Sequence, residues 1–239
     1  MLLSCHLAIG NVAGLQVVET YMSEKRVRVD IWSDIACPWC FIGKRRFEKG
    51  VEEFEFSDNV DVYWHAYQLD PSLPEHYDGD EVQYLSQVKG MDPEQVKGML
   101  EHVTEQAAGE GLNYRFDQLR PANSFTALRV LEQAKTESKG NEMKETLLSA
   151  HFERGLDTGD RQVLAKLAAE VGLDETATAQ TLSSQKYAEE VNADIEQARQ
   201  LGISGVPFFV IDGKYGISGA QPAEAFTNAL TQVHAETVS

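Results

Sequence analysis

The chain of 239 residues is 42% apolar and 25% charged, which is typical of a folded globular protein. Its formal net charge is −17 at pH 7, and an acidic surface repels phosphate, so nucleic acid is not an expected partner. The short basic run Lys44-Arg45-Arg46 does not change that expectation. No apolar run reaches the roughly 18 residues of a membrane-spanning helix, so no membrane partner is expected, and three cysteines are too few for a disulfide-stapled scaffold.

The N-terminal residues 1–23 are predicted to be a dispensable extension. Residues 1–18 are moderately apolar but contain no Lys or Arg, and Gly10 and Gly14 interrupt them. A secretory signal has a basic start and an unbroken apolar segment. The cytoplasm is therefore the expected location, and Cys5 is expected to take no part in function.

Residues 26–66 predict a strand, a helix and a second strand. Apolar and polar residues alternate over 26–32 and again over 60–66, which is the period of a strand. Pro38 lies where the first turn of a helix accepts proline, and helical spacing continues toward Glu53. Two strands joined through a helix are predicted to run parallel.

Residues 79–201 have helical periodicity and no strand pattern. Three predicted helices follow the capping residues Asp92, Asn123 and Asp160, and a fourth, over about 185–201, stops at Gly202. This segment is therefore predicted to be a large all-helical insertion.

Residues 202–239 predict a strand, a hairpin turn, a strand and a helix. The apolar run 208–211 indicates a strand buried on both faces, Asp212-Gly213 a hairpin turn, and Pro222 the start of the last helix. The predicted class is α/β, a thioredoxin-like fold made of residues 24–78 and 202–239 and interrupted by the insertion.

The sequence Cys37-Pro38-Trp39-Cys40 lies between the first strand and its helix. A helix N-terminus stabilises a thiolate, the species that attacks a disulfide, and Cys40 one turn later can resolve the mixed disulfide. We therefore predict a catalytic dithiol with Cys37 attacking. Half of a zinc site is the alternative, but structural zinc takes four ligands and the chain shows no matching Cys or His spacing, so no metal is expected.

The chain resembles the DsbA-like thiol oxidoreductases of the FrnE type over roughly residues 26–233. The resemblance rests on Cys-Pro-Trp-Cys (37–40), Gly-Val-Pro-Phe-Phe-Val (205–210) and Ile-Ser-Gly-Ala-Gln-Pro (217–222). It implies that Pro207 is a cis proline facing the active site and that the backbone of Val206 pairs with an extended substrate. Trp39 is interpreted as an apolar substrate contact beside the sulfur.

Two departures from the family affect the expected chemistry. Trp39 stands where the strongly oxidising members carry histidine, so we expect a reduction potential between roughly −270 and −120 mV. No cysteine follows Cys40, which excludes a relay to a second internal pair.

Other polar residues give weaker signals. Asp34, three positions before Cys37, is a candidate proton acceptor, although a loop or capping role is more frequent for such an aspartate. His151 and Arg154 are interpreted as a solvated helix face rather than as groove lining.

The predicted function is thiol–disulfide exchange with protein or small-thiol disulfides by a monomer or dimer. No cofactor is expected, with glutathione as a candidate co-substrate. Two alternatives stay open. One is a glutathione-dependent transferase or isomerase like the kappa-class and hydroxychromene-carboxylate isomerase relatives. The other is a non-enzymatic binding module or holdase that uses the helical insertion.

Overall fold

The computed structural model of the protein describes residues 26–238. The predicted N-terminal extension, residues 1–23, and Cys5 lie outside these residues. Within the described part of the chain, no helix is long and apolar enough to cross a membrane.

A four-stranded sheet with the strand order β2-β1-β3-β4 forms the centre of the fold. Its strands are β1 Val27–Ser33, β2 Val60–Ala66, β3 Phe208–Ile211 and β4 Tyr215–Ser218. As predicted, β1 runs parallel to β2. Strand β1 also runs antiparallel to β3. Trp32, near the end of β1, lies opposite His65 of β2 and opposite Phe208 of β3. The carboxyl end of β1 therefore meets the amino end of β3, which brings together segments that are distant in sequence.

The hairpin between β3 and β4 is confirmed, but the burial of β3 differs from the prediction. Asp212 and Gly213 both have positive φ, 51° and 67°, as a tight hairpin turn requires. Phe209 is fully buried, whereas Phe208 and Val210 are only half-buried. The second face of the strand is covered only by a small apolar cluster, so the run is not buried on both sides.

Nine α-helices accompany the sheet within residues 26–238. They are α1 Pro38–Glu52, α2 Glu81–Gln83, α3 Pro93–Gly109, α4 Phe125–Thr136, α5 Gly140–Phe152, α6 Arg161–Glu170, α7 Glu175–Ser183, α8 Ala188–Gln200 and α9 Ala223–Val238. Helices α2 to α8 all lie between β2 and β3, so the α/β class and the helical interruption are confirmed. The exact domain boundaries at residues 79 and 201 stay a prediction.

Two of the three predicted helix caps are confirmed. The carboxylates of Asp92 and Asp160 each accept hydrogen bonds from two backbone N–H groups in the first turns of α3 and α6. Asn123 is not the N-cap of α4, because the helix starts one residue later, after Ser124. The Asn123 side chain instead accepts a hydrogen bond from the N–H of Phe125 at 2.9 Å.

Helices α1 and α9 pack against each other and against the sheet through aromatic rings. The ring centre of Phe47 lies 5.5 Å from that of Phe209 and 5.6 Å from that of Phe226. All three rings are buried, and burial of each stabilises the fold by about 1.5–3 kcal/mol. This packing holds α1, and with it the cysteine pair, in a defined position over the sheet.

The basic run on α1 joins that helix to the insertion and does not form a charged surface. Lys44 donates to Glu145 at 2.7 Å, and Arg45 pairs with the same carboxylate. Arg46 donates to Glu110 at 2.5 Å. Since Lys44 is almost fully buried, its charge is not available to an anionic partner.

Candidate active site

Cys37 caps the amino end of α1, directly after the loop that follows β1. Its backbone is extended (φ −96°, ψ 112°), Pro38 takes the first helical position, and the N–H of Cys40 donates to the Cys37 carbonyl at 3.0 Å. Both are free cysteines, 4% and 1% exposed. The two thiols therefore lie one turn apart at a helix start, where unpaired N–H groups favour a thiolate.

The segment before β3 brings Val206 and Pro207 to this helix start. The Cys37 thiol donates to the Val206 carbonyl oxygen, with an Sγ–O distance of 3.4 Å. The Val206–Pro207 peptide bond is cis, as the family resemblance implies. Gly43 allows α1 to approach closely, because a Cβ atom there would lie 2.7 Å from the Cγ of Pro207.

Asp34 lies in the loop that leads to Cys37 and is 1% exposed. Its carboxylate accepts hydrogen bonds from the N–H of Leu69 at 2.7 Å and from the N–H of Ala36 at 3.3 Å. Burial raises the pKa of Asp34, although these hydrogen bonds and the charge of Lys144 act in the opposite direction. Asp34 thus stabilises the loop through these hydrogen bonds, and its raised pKa gives it the increased proton affinity that a proton acceptor needs.

Lys144 of α5 is a fully buried lysine next to the dithiol, and its sequence pattern did not predict this position. Its ammonium donates to the Ser33 carbonyl at 3.4 Å and lies 5.5 Å from the centre of the Trp64 ring. Burial lowers the pKa of Lys144 to about 8, although the nearby Cys40 and Asp34 favour its charged form. The dithiol therefore has a buried cation on its inner side.

Cys37 and Cys40 titrate as a coupled pair. Burial opposes ionisation of Cys40, but the Cys37 thiol, the charge of Lys144 and the Ser33 hydroxyl outweigh burial and lower the pKa of Cys40. That hydroxyl is buried and has no other hydrogen-bond partner. The hydrogen bond to Cys40, together with burial, raises the pKa of Cys37. The lowered Cys37 pKa that the helix start led us to expect is therefore wrong, and Cys40 is the thiol that ionises first. The pair therefore loses its first proton readily and its second with difficulty.

A cavity of about 390 Å³ opens beside Cys37, and Trp39 and Val206 also line it. Much of the remaining wall is aliphatic, formed by Leu69, Leu73, Leu85, Met99, Leu100 and Val103. Cys37 borders the cavity and Cys40 does not. A molecule in the cavity therefore reaches Cys37 first, while Cys40 lies behind it.

His151 differs from the prediction, because it lies inside the protein and lines the same cavity. Burial lowers its pKa to about 4, so the ring is neutral at pH 7. Arg154 does lie at the surface, where it pairs with Glu170 at 2.8 Å. His151 was misinterpreted because the burial of α5 depends on how the insertion folds over α1.

Tyr114, in the loop after α3, anchors the first turn of α1. Its hydroxyl donates to the Pro38 carbonyl at 2.6 Å. The ring is buried, with its centre 6.2 Å from that of Phe41 and 4.9 Å from that of Phe152. The insertion thus helps to hold the segment that carries both cysteines, a role for which the sequence pattern offers no signal.

Comparison with known proteins gives a match over most of the chain. The family model of the DSBA-like thioredoxin domain matches residues 28–231. A probable DsbA oxidoreductase from Streptomyces coelicolor is 40% identical in sequence, and its structure superposes with a TM-score of 0.81. That likeness covers 87% of this chain and 89% of the other.

Two more distant structures share the fold. The cytosolic disulfide reductase DsbM from Pseudomonas aeruginosa, in a structure with glutathione, is 19% identical with a TM-score of 0.62, over 86% of this chain and 98% of that one. A 2-hydroxychromene-2-carboxylate isomerase is 15% identical with a TM-score of 0.63, over 88% of this chain and 98% of that one. At these identities the likeness concerns the fold alone, and the predicted thioredoxin-like fold with a helical insertion is confirmed.

Proposed function

Since the chain belongs to the family of DSBA-like thioredoxin domains, we propose that it is a thiol–disulfide oxidoreductase that works through Cys37 and Cys40. The observation that carries this proposal is the placement of Cys37, which caps α1, borders the cavity and donates to the Val206 carbonyl. Cys40 lies one turn behind it, next to a buried cation. This arrangement suits an attacking thiol and a resolving thiol.

In the first step, the Cys37 thiolate attacks one sulfur of a substrate disulfide. In the singly ionised pair the charge rests mainly on Cys40, because the pKa of Cys40 is lowered and that of Cys37 is raised. Attack by Cys37 therefore requires that its proton first pass to Cys40, which leaves the charge on the sulfur that borders the cavity. The substrate S–S bond breaks, and a new S–S bond joins Cys37 to the substrate. The other substrate sulfur leaves as a thiolate and takes up a proton from water.

In the second step, Cys40 attacks the Sγ atom of Cys37. The bond between Cys37 and the substrate breaks, the Cys37–Cys40 disulfide forms, and the second substrate sulfur leaves as a thiolate that takes up a proton from water. Two electrons have then passed from the dithiol to the substrate, and the reverse sequence oxidises a substrate dithiol. Lys144 and the Ser33 hydroxyl favour the Cys40 thiolate that this step requires.

Asp34 is the proposed acceptor of the Cys40 proton. Because Cys40 is 1% exposed, its proton has to leave through neighbouring groups and not directly to solvent. Asp34 is equally buried, and burial raises the pKa of its carboxyl. Lys144 interacts with both groups. When a proton moves from Cys40 to Asp34, the negative charge moves from the Asp34 carboxylate to the Cys40 sulfur and stays close to the Lys144 ammonium.

Val206 is proposed to bind the substrate backbone. In the dithiol form its carbonyl accepts a hydrogen bond from Cys37, and this donor disappears when Sγ bonds to a substrate sulfur. The carbonyl is then free to accept an N–H from the substrate chain beside its cysteine. Protein disulfides and small disulfides both fit this chemistry, and glutathione is a candidate co-substrate.

Turnover of a protein disulfide tests the proposal. Wild type should reduce insulin with dithiothreitol as electron donor, Cys37→Ser should be inactive, and Cys40→Ser should accumulate a mixed disulfide on Cys37. Full activity of the double variant Cys37→Ser, Cys40→Ser in a refolding assay would instead favour a holdase. Isomerase activity that survives both substitutions would favour the glutathione-dependent alternative.

The FrnE type and the cytoplasm remain our expectations for the subtype and the compartment. The three sequence segments that resemble the FrnE type include the Cys-Pro-Trp-Cys and Gly-Val-Pro segments, and these two meet at the candidate site. Cell fractionation would test the compartment.

A further inference from the structure

Glu81 is a carboxylate without a partner in the wall of the Cys37 cavity. It is the first residue of α2, where Asp80 and Gln83 form a capping box that does not involve the Glu81 side chain. Within residues 26–238 the side chain has no hydrogen bond or ion pair, although the residue is half-buried. Side chains that carry a charge away from solvent are normally paired, so this exception calls for a ligand group.

The other titratable groups of the cavity wall are already satisfied or neutral. Lys89 pairs with Asp70 at 2.6 Å. Asp34 is held by two backbone N–H groups and interacts with the buried Lys144. His151 is neutral at pH 7, because burial lowers its pKa to about 4. When Glu81 is ionised, the cavity therefore contains a negative charge that no neighbouring cation compensates.

The surroundings of Glu81 strengthen the effect of that charge. Leu69, Leu85 and Met99 border the same cavity with aliphatic surface. A cleft with apolar walls focuses the field of its charges on the space between them. Burial and the neighbouring charge of Asp80 raise the pKa of Glu81 to about 7, which is the behaviour of a carboxylate that lacks a cation.

We propose that Glu81 determines substrate specificity by selecting disulfides that carry a cationic group, such as an ammonium or guanidinium, beside the sulfur that Cys37 attacks. The proposal rests on the proposed thiol–disulfide exchange. A cationic substrate group satisfies the Glu81 carboxylate, whereas an anionic group next to the disulfide is repelled. Anionic disulfides are therefore poor substrates compared with neutral or cationic ones of the same size, and the net negative charge of glutathione disulfide makes it a weaker candidate than a cationic disulfide.

Charged methanethiosulfonate reagents measure this preference without turnover. The full chain carrying Cys40→Ala is treated with the cationic trimethylammonium-ethyl, the anionic sulfonatoethyl and the neutral methyl reagent at pH 8. The rate of modification of Cys37 is followed by peptide mass spectrometry, and each rate is divided by that of a free thiol peptide. We expect a corrected cation-to-anion rate ratio above one, and a loss of roughly threefold or more in that ratio for Glu81→Gln.

Two further variants make the test specific. Glu224→Gln removes one charge from the first turn of α9, at an exposed position outside the cavity, and should keep the ratio of the parent. Glu81→Lys should invert the preference, and an unchanged rate with the neutral reagent shows that the cavity is intact. An unchanged ratio in both Glu81 variants, or an equal loss in Glu224→Gln, would overturn the proposal.

Turnover assays distinguish a failure of this proposal from a failure of the proposed function. If small disulfides are turned over but Glu81→Gln leaves the ratio of cystamine to dithiodipropionate turnover unchanged, Glu81 does not select substrates and the oxidoreductase assignment stands. If Cys37 is labelled with the expected charge preference but no disulfide is turned over, the oxidoreductase assignment fails, and with it the substrate role of Glu81.

Discussion

The Sγ atom of Cys37 and the carbonyl oxygen of Val206 lie 3.4 Å apart, although the two residues are separated by 169 positions in the sequence. Two features of the fold produce this contact. The antiparallel pairing of β1 with β3 brings the two segments to the same end of the two central strands, and Gly43 lets α1 approach the ring of Pro207. The contact therefore depends on residues that take no part in the chemistry.

Gly43→Ala should separate α1 from the Pro207 segment. The new Cβ would lie 2.7 Å from the Cγ of Pro207 and 3.5 Å from the Cβ of Ala220, so one of these segments must move. We expect a loss of about 1–3 kcal/mol in the free energy of unfolding and a severalfold slower reduction of insulin. Urea unfolding and the insulin assay measure the two effects.

Gly98→Ala is the matched control, because Gly98 lies within α3 and a Cβ there meets no atom within 4 Å. This variant should be neutral or more stable by up to about 1 kcal/mol, with unchanged activity. Equal behaviour of the two variants would mean that the close approach of α1 to Pro207 is unimportant.

Lys144→Met should slow the second chemical step. Loss of the buried cation removes one of the influences that lower the pKa of Cys40, so the pKa rises and less Cys40 thiolate is present at pH 7. Thionitrobenzoate attached to Cys37 reports this directly, since its release follows attack by Cys40. The pH midpoint of release should move upward in Lys144→Met and should stay in place in Lys97→Met, which alters an exposed lysine.

Lys144→Met should also be more stable than wild type at pH 7. The pKa of Lys144 in the folded protein, about 8, lies below its ordinary value of 10.5, so the buried ammonium destabilises the fold below pH 8. That destabilisation, on the order of 3 kcal/mol, is relieved as the pH rises from 8 to 10.5. A variant that is less stable and keeps the wild-type release profile would contradict the assigned role.

His65 is expected to make a pH-dependent contribution to the free energy of unfolding. Its two ring nitrogens lie 2.7 Å from Asp30 and 2.8 Å from Asp194, and its ring stacks on Trp32 with centres 4.4 Å apart. Burial opposes protonation, but the hydrogen bonds to the two carboxylates outweigh it and raise the pKa of His65.

Protonated His65 therefore adds stability that is complete below about pH 6.5, the ordinary pKa of histidine, and is lost as the pH rises through the raised pKa of the folded state. Thermal unfolding of wild type between pH 6 and 8 should show this loss relative to His65→Phe, which keeps the stacked ring. His76→Ala, at an exposed histidine, should retain the wild-type slope. Parallel curves for wild type and His65→Phe would show that the carboxylates do not favour the charged ring.

The features that could be predicted from the sequence depend on local patterns. Period-two alternation indicated β1 and β2, acidic caps marked the starts of α3 and α6, and Cys-Pro-Trp-Cys marked the start of α1. Each of these features is determined by residues that lie close together in the sequence.

The features that were missed depend on which surfaces meet after folding. Lys144 is spaced four and seven residues before the buried Leu148 and His151, which places all three on one side of α5. A lysine in that pattern is ordinarily exposed, and only the packing of the insertion over β1 and α1 buries it. The role of Glu81 likewise depends on a cavity wall that several segments build together.

The most direct test of the proposed dithiol chemistry is the reduction potential of the Cys37–Cys40 couple. The full chain is equilibrated in glutathione redox buffers, the free thiols are alkylated, and the fraction of Cys37 and Cys40 joined as a disulfide is read by peptide mass spectrometry. We expect one two-electron transition with a midpoint between roughly −270 and −120 mV, absent from Cys37→Ser. Free Cys37 and Cys40 across the whole range, with no disulfide between them, would contradict it.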